Sequence, residues 1–253
     1  MVGSTGSYIV TNGLAPSILR VGQPIGSFYG YFSDGIWQTQ QQIDAAGRKG
    51  VVPGDAIIRD LDGNGIINGD DRAIIGQAAP KFIYSINNNF SYKNFDLAIF
   101  MQGVQGNKIL NITKYAHNGG TTNNQYVEMT GAWNGAGSTN ELPRAYSTTE
   151  RAAGVVSRYL EDGSYLRLQT VSLGYNIPVS KSKVFKTATV YVTGQNLWTI
   201  TKYSGYSPEI NSYDSRNSNS GSQNTGSQNL NVGADVNSYP PSRTFLLGAK
   251  IGF

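Results

Sequence analysis

The last eleven residues, "RTFLLGAKIGF" (243–253), carry the clearest structural pattern in this chain. Apolar side chains recur at every second position of this stretch: Phe245, Leu247, Ala249, Ile251 and Phe253. Because successive side chains of a β-strand point to opposite faces, this alternation predicts a strand with one apolar face. The chain also ends on an aromatic residue.

Three segments further upstream also predict strands. They are "KFIYSINNNFSYKNFDLAIFMQG" (81–103), which predicts a hairpin, "YLRLQTVSLGYNIP" (165–178) and "KTATVYVTGQNLWTIT" (186–201). In residues 165–178, Leu166 and Leu168 are out of phase with Val171 and Leu173, which predicts a β-bulge between them. A sixth strand is predicted over residues 24–38.

The connections between these strands alternate in length. Those at 92–94 and 179–186 are short, whereas those at 38–80, 104–162 and 202–242 are long. Outer-membrane barrels have short periplasmic turns and long extracellular loops. We therefore predict an all-β fold, an antiparallel transmembrane β-barrel segment with long extracellular loops. The last loop includes a low-complexity stretch at 212–231.

The composition limits the chemistry that the chain can perform. Its 253 residues include one histidine and no cysteine, which excludes disulfides and disfavours zinc sites and histidine-centred catalysis. The chain has no apolar run of the length that a membrane-spanning helix needs. Its basic residues form no aromatic-interleaved patch, so we expect no nucleic-acid partner despite a pI near 9.1. No carboxylate pair has the spacing of a glycosidase site, and we expect no enzyme activity.

One stretch, "RDLDGNGIINGDDRAIIG" (59–76), concentrates oxygen ligands. It aligns with the EF-hand loop, and its predicted metal ligands are Asp60, Asp62, Asn64, the Ile66 carbonyl, Asn68 and Asp71. Hard oxygen ligands favour Ca²⁺. The last ligand is an aspartate instead of the usual glutamate, as in dockerin-like loops. The alternative is a solvated turn with side chain to backbone hydrogen bonds and no metal.

Aromatic residues in the loops have two interpretations. Trp133 lies in the middle of a long loop and is the candidate for binding substrate by stacking on a sugar ring. Barrels carry aromatic girdles at the membrane interface, where their strands end. Three aromatic residues near or beyond the end of a predicted strand are interpreted in this way: Trp198, Tyr203 and Tyr206.

Six stretches together resemble a known family. They are "GQPIGSFYGYFSDGIWQT" (22–39), "PGDAIIRDLDGNGIINGDDRAIIGQAAPKF" (53–82), "YKNFDLAIFMQGVQGNKILN" (92–111), "EDGSYLRLQTVSLGYNIP" (161–178), "TGQNLWTITKYSGYSPEI" (193–210) and "YPPSRTFLLGAKIGF" (239–253). In this order they resemble the C-terminal third of SusC-like (RagA-like) TonB-dependent outer-membrane transporters of Bacteroidota.

The resemblance implies nutrient import across the outer membrane. Such a transporter takes up oligosaccharides or peptides with a SusD-like surface lipoprotein, is energised by TonB, and is surrounded by outer-membrane lipid. The sequence shows no plug domain, TonB box or signal peptide, so residues 1–253 are expected to be a fragment, the C-terminal portion of the barrel. Transporters of this class close about 22 strands, far more than the six predicted here.

The alternative is a secreted or surface calcium-binding β-protein that binds carbohydrate. A dockerin-type module needs a second acidic loop about twenty residues away, and none is found in the sequence. A soluble lectin needs polar residues where Phe245, Leu247, Ile251 and Phe253 stand. A hydrolase needs a nucleophile or an acid pair, which the sequence does not reveal.

Overall fold

A computed structural model describes residues 7–10, 17–118, 124–145, 147–150, 154–179, 184–210, 232–235 and 238–253. The chain divides into two compact units. We call one the connecting unit (Met1–Ala79, Lys108–Glu161, Glu209–Ser238) and the other the sheet unit (Pro80–Asn107, Asp162–Pro208, Tyr239–Phe253). The low-complexity stretch at 212–231 lies outside the described residues.

Most of the secondary structure is β-strand. The strands are β1 (Ser7–Val10), β2 (Ser17–Arg20), β3 (Ser27–Gly30), β4 (Ser33–Ile36), β5 (Ala56–Ile58), β6 (Ala73–Gln77), β7 (Phe82–Tyr92), β8 (Phe95–Gln105), β9 (Lys108–Asn111), β10 (Leu160–Asp162), β11 (Tyr165–Asn176), β12 (Thr187–Thr201), β13 (Ala234–Asp235) and β14 (Thr244–Gly252).

The helices whose full extent the structure describes are short. They are α1 (Gln40–Ala45), α2 (Ile112–Asn118) and the 3₁₀ turns at Gly69–Asp71, Val127–Gly131 and Ser157–Tyr159. The side chain of Thr39 caps α1 by accepting a hydrogen bond from the Gln42 N–H. Within the described ranges, no helix is long and apolar enough to cross a bilayer.

The sheet unit contains the five long strands in the order β14-β12-β11-β8-β7, with every neighbouring pair antiparallel. The predicted hairpin and the strands predicted at 165–178, 186–201 and 243–253 are confirmed. The predicted bulge is confirmed as well, because the register of β11 shifts between Leu168 and Thr170. The extra residue, Gln169, returns Leu166 and Leu168 to the face that carries Val171 and Leu173.

Short and long connections leave opposite ends of this sheet. Tyr92 pairs with Phe95 across the short turn between β7 and β8, and β11 reaches the same end at Tyr175, which also pairs with Phe95. Thr187 and Gly252 pair near that end too. The long connections at 106–164 and 202–243 begin at the other end of the sheet, where Tyr165 pairs with Val104 and with Thr201. The predicted alternation of loop lengths is therefore confirmed for these strands.

The connecting unit holds short strands around a buried core. They form sheets in the orders β1-β2-β3-β6, β10-β9-β13 and β4-β5. The core cluster contains Phe28, Tyr31, Ile58, Ala78, Leu110, Ile112, Val155, Val156, Tyr159 and Ala234. These residues come from all three sequence segments of the unit, so the long connections fold together.

The prediction of one strand over residues 24–38 is wrong. Two short strands, β3 and β4, lie there instead, because the chain turns to a new partner at Tyr31. The Tyr31 N–H donates to the Val155 carbonyl at 2.9 Å, and the Ser157 N–H donates to the Tyr31 carbonyl at 2.9 Å. A Cβ at Gly30 would lie 2.3 Å from the Val155 carbonyl oxygen, so this approach requires glycine.

The sheet of the sheet unit is open. β7 and β14 are its edges, and none of the described strands pairs with their outer sides. The antiparallel all-β class is confirmed, whereas these strands alone form no closed barrel. The described residues contain five long strands, where six strands were predicted.

Candidate functional site

The acidic loop brings three of its predicted ligands together. Carboxylate oxygens of Asp60, Asp62 and Asp71 all lie within 4.8 Å of one another. Of the three side chains, that of Asp71 is buried and that of Asp62 is exposed. A cluster of carboxylates at this separation can coordinate a divalent cation, and hard oxygen donors select Ca²⁺ or Mg²⁺ over transition metals.

Side chain to backbone hydrogen bonds fix the shape of this loop. Asp60 accepts the N–H groups of Gly63 and Gly65 at 2.7 and 2.8 Å, one with each carboxylate oxygen. Asp71 likewise accepts the N–H of Leu61 at 2.7 Å and that of Asn68 at 2.8 Å. Asp60 Oδ2 also pairs with Arg48, whereas each of the other three oxygens retains a lone pair and could bind a cation.

The other predicted ligands turn toward the backbone. The Asn64 side-chain oxygen accepts the Ile66 N–H at 2.7 Å, and the Asn68 oxygen accepts the Asp70 N–H at 2.7 Å. Asn68 thereby caps the 3₁₀ turn at Gly69–Asp71. Both arrangements are typical of a hydrogen-bonded turn, which was the alternative to a metal site.

Arg48 contacts the acidic loop, although it lies twelve positions before Asp60 and no motif in the sequence points to it. Its guanidinium lies 3.3 Å from the Asp60 carboxylate and donates to the Gly65 carbonyl at 2.8 Å. Taken by itself, the partial loss of water around the Asp60 carboxylate would raise its pKa. The backbone N–H groups of Gly65 and Gly63, together with Arg48, outweigh that effect and hold the pKa below its usual value.

Trp133 packs within the connecting unit. Its indole N–H donates to the Gln38 side chain at 3.1 Å, and a Cβ at Gly54 would lie 2.5 Å from its ring. The ring therefore covers Gly54 and is half-buried. Only the exposed part of the Trp133 ring is therefore available for the predicted stacking of a substrate.

An open cleft of about 860 Å³ lies beside Trp37 and Gln38. Its polar lining includes Asp34 and Asn140, and its apolar lining includes Ile36. The Arg59 guanidinium donates one hydrogen bond to each carboxylate oxygen of Asp34, at 2.5 and 2.8 Å. Trp133 is not among the lining residues and is linked to them only through its bond to Gln38.

One face of the five-stranded sheet is apolar. Strand registers place on it twenty-two apolar or aromatic residues: Phe82, Tyr84, Ile86, Phe90, Tyr92, Phe95, Leu97, Ile99, Met101, Leu166, Leu168, Val171, Leu173, Tyr175, Val190, Val192, Trp198, Ile200, Phe245, Leu247, Ala249 and Ile251. No charged residue of the five strands shares this face. Many of these side chains are largely exposed, and Leu247 reaches 86%. Such a face requires an apolar environment.

The opposite face of the same sheet carries mostly hydroxyl and amide groups. The hydroxyls of Ser172 and Thr193 lie 2.8 Å apart, and the Arg167 Nε donates to the Thr199 hydroxyl at 2.9 Å. Asp96 accepts hydrogen bonds from the side chains of Ser91 and Asn176. This face is suited to water and to polar solutes.

The aromatic residues predicted as a girdle differ in exposure. Trp198 lies on the apolar face and is 60% exposed, and Tyr206 is also exposed. The prediction is wrong for Tyr203, which is only 5% exposed and therefore has no surface to offer to a membrane interface. Its ring packs against Gly205, where a Cβ would lie 2.5 Å from it.

Curated relatives match nearly the whole chain. TonB-dependent receptor P3 of Formosa agariphila is 40% identical over 240 residues, which are 93% of this chain and 23% of the relative. TonB-dependent receptor P26 of the same organism is 36% identical over 93% of this chain and 23% of its own length. The TonB-dependent receptor SusC of Bacteroides thetaiotaomicron is 26% identical over 92% of this chain and 20% of its own length. No protein-family model matches the chain.

Solved structures with the same fold describe an importer. A structure of the RagAB peptide transporter has a TM-score of 0.69 at 22% identity and covers 98% of this chain and 25% of that one. The RagAB peptide importer in its open-open state has a TM-score of 0.67 at 20% identity and covers 100% of this chain and 25% of that one. The chain thus spans less than a quarter of the length of the curated relatives and about a quarter of these structures.

Proposed function

Because this chain is homologous to a segment of the SusC-like TonB-dependent receptors, we propose that it supplies part of the barrel wall and surface loops of an outer-membrane nutrient importer. The sheet unit is the wall segment. Its apolar face meets lipid hydrocarbon, and its polar face lines the pore. The end of the sheet from which the long connections at 106–164 and 202–243 leave is the extracellular end.

The observation that carries this proposal is the charge-free apolar face of the open sheet. A soluble lectin would present polar residues to water there, yet Phe245 and Leu247 are 72% and 86% exposed. Outer-membrane strands alternate in this way between lipid and lumen. The open edges of β7 and β14 are the sites where further strands of a complete barrel pair, since lipid tolerates no unpaired sheet edge.

The transported solute is an oligosaccharide or a peptide, captured with a SusD-like surface lipoprotein and moved with energy from TonB. The chain acts by binding and passage, without chemistry of its own. Two features support a polar solute: the hydroxyl-rich face of the sheet, and the open cleft beside Trp37 in the connecting unit. The exposed part of Trp133 is a candidate contact for the same solute.

A detergent test distinguishes this function from a secreted β-protein. The full chain is refolded with and without a neutral detergent and analysed by size-exclusion chromatography with light scattering. We expect a monodisperse species only in detergent, because the apolar face binds the micelle. A monodisperse monomer in plain buffer would contradict the proposal.

For the acidic loop we propose Ca²⁺ as a structural cofactor that pins the loop on the extracellular side. Asp60, Asp62 and Asp71 are the carboxylate ligands, with Asn64, the Ile66 carbonyl and Asn68 completing the set. Extracellular sites of this kind bind with a Kd of about 10⁻⁴ to 10⁻³ M. Calorimetry with millimolar Ca²⁺ tests this: Asp62→Asn should abolish the heat that the native chain gives, and Asp70→Asn should retain it. No heat from the native chain would contradict the site.

A further inference from the structure

The chain contains five Asn-Gly pairs, the sequence in which an asparagine loses its side-chain amide most easily. They begin at Asn12, Asn64, Asn68, Asn118 and Asn134. In this deamidation the backbone nitrogen of the glycine attacks the side-chain amide carbon of the asparagine, and glycine leaves the approach unhindered because it has no Cβ. Two of the pairs that the structure describes, at Asn64 and Asn134, differ in how firmly they are held.

Hydrogen bonds hold both reacting groups of the pair in the acidic loop. The Gly65 N–H donates to the Asp60 carboxylate at 2.8 Å. The side-chain oxygen of Asn64 accepts the Ile66 N–H at 2.7 Å, and its side-chain nitrogen donates to the Asp62 carboxylate at 2.8 Å. Ring closure requires the Gly65 nitrogen to lose its proton and turn toward the side-chain carbon of Asn64. These bonds must therefore break before the reaction can begin.

The pair at Asn134 has no such restraint. The Asn134 side chain forms no hydrogen bond with any residue that the structure describes, and the Gly135 N–H has no acceptor among those residues either. The backbone N–H of Asn134 donates to the Ser138 hydroxyl at 3.1 Å, a bond that ring closure does not involve. Asn64 and Asn134 are both exposed, so access to water does not distinguish them. The difference lies in the hydrogen bonds.

Asn134 also lies in a segment that shapes the open cleft of the connecting unit. The indole N–H of Trp133 and the backbone N–H of Gly137 donate to the same side-chain oxygen of Gln38, at 3.1 and 2.8 Å. Gln38 and Gly137 both line the cleft. Residues 134–136 thus connect two groups that share one acceptor. A change in the length of the main chain between these groups displaces one of them from Gln38.

We propose that Asn134 is a site of spontaneous deamidation and that its isoaspartate product alters this wall of the cleft. The Gly135 nitrogen gives its proton to a base of the solvent and bonds to the side-chain carbon of Asn134, and the amide nitrogen leaves as ammonia. Water then opens the resulting succinimide at one of its two carbonyls. One opening gives aspartate. The other gives isoaspartate, in which the main chain runs through the former side chain and is one methylene longer.

The test compares deamidation in the full chain folded in neutral detergent with that in the same chain unfolded in urea. Both samples are kept at mildly alkaline pH with a chelator, so that a bound cation does not contribute. Peptide mapping by mass spectrometry follows the conversion of amide to acid at each asparagine. Folding should slow the reaction at Asn64 at least about 10-fold, because hydrogen bonds to carboxylates must open first. It should slow the reaction at Asn134 less than about 3-fold, since an unrestrained loop opens at little cost. Equal slowing at the two sites would overturn the inference.

Two variants and a second measurement connect the modification to the structure. Asp60→Ala removes the acceptor of the Gly65 N–H and should bring the folded rate at Asn64 close to the unfolded rate, with no change at Asn134. Asn134→Gln should prevent the modification, because glutamine would have to close a larger ring. Hydrogen exchange at the Gly137 amide should become faster as the native chain ages and stay constant in Asn134→Gln. Unchanged exchange in a fully converted native chain would overturn the effect on the cleft.

Discussion

The connecting unit and the sheet unit use the same kinds of apolar side chain in opposite ways. In the connecting unit, Phe28 is 1% exposed and packs in a core with Tyr31, Val156 and other residues. In the sheet unit, Phe245 is 72% exposed. Of the eighteen buried apolar residues within the described ranges, only Tyr165 and Tyr203 belong to the sheet unit. One unit supplies its own apolar interior, whereas the other depends on an apolar environment.

We expect the largest difference in stability between alanine substitutions of one phenylalanine in each unit. Phe28→Ala should lower the stability of the connecting unit by about 3–5 kcal/mol, because it removes a ring from a closed core. Phe245→Ala leaves no cavity in the protein and should change the stability of the sheet unit in detergent by less than about 1 kcal/mol. Hydrogen exchange at core amides such as that of Leu110 and at the strand amides of β12 measures the two units separately. Equal losses would remove the distinction.

The second comparison lies within one strand. Leu247 and Leu246 are neighbours in β14 and point to the apolar and the polar face respectively. In a lipid bilayer, Leu247→Arg should destabilise the sheet by about 2–4 kcal/mol, because the charge enters hydrocarbon. Leu246→Arg should cost no more than about 1 kcal/mol. Urea unfolding in liposomes measures both, and the reverse order would mean that the faces are assigned wrongly.

A third prediction concerns the point at which the connecting unit closes. Gly30→Ala should destabilise that unit by about 1–3 kcal/mol, because the new methyl group meets the Val155 carbonyl. Gly131→Ala is the matched control, since its Cβ would meet no atom within 4 Å. Denaturation followed at the connecting unit checks both variants, and equal midpoints would contradict the close approach at Gly30.

The smallest effect is a pH dependence of the acidic loop. The pKa of Asp60 is lower in the folded loop than in the unfolded chain. The hydrogen bonds to Gly63 and Gly65 therefore persist above the ordinary aspartate pKa of about 3.9 and are lost as the pH falls through the lower folded value. The amide chemical shifts of Gly63 and Gly65 should titrate together below pH 4 and stay constant above it. A titration centred above the ordinary value would contradict the stabilising role of these bonds.

The sheet unit could be predicted from sequence because its strands are long. Alternation over nine to fifteen residues, as in β14 and β12, identifies a strand and its faces without knowledge of its partners. Even the bulge at Gln169 follows from a phase slip between Leu168 and Val171. A register that keeps one face apolar is strongly specified by the pattern itself.

The connecting unit could be predicted only in part. Strands such as β4 and β5 are three or four residues long, too short to establish a period. Their positions depend on contacts between distant segments, such as Tyr31 with Val155. The convergence of Asp60, Asp62 and Asp71 follows from local spacing, whereas Arg48 and the packing of Trp133 on Gly54 depend on the folded chain.

The absence of cysteine from the chain allows the central claim to be tested with single labels. Spin labels at Leu247→Cys and Leu246→Cys, in the full chain reconstituted in liposomes, report contact with hydrocarbon or with water. The account predicts that the label at 247 collides with oxygen dissolved in the bilayer and is shielded from a water-soluble nickel complex. It predicts the opposite for the label at 246. If the label at 247 is as accessible to nickel as the one at 246, the apolar face does not meet lipid.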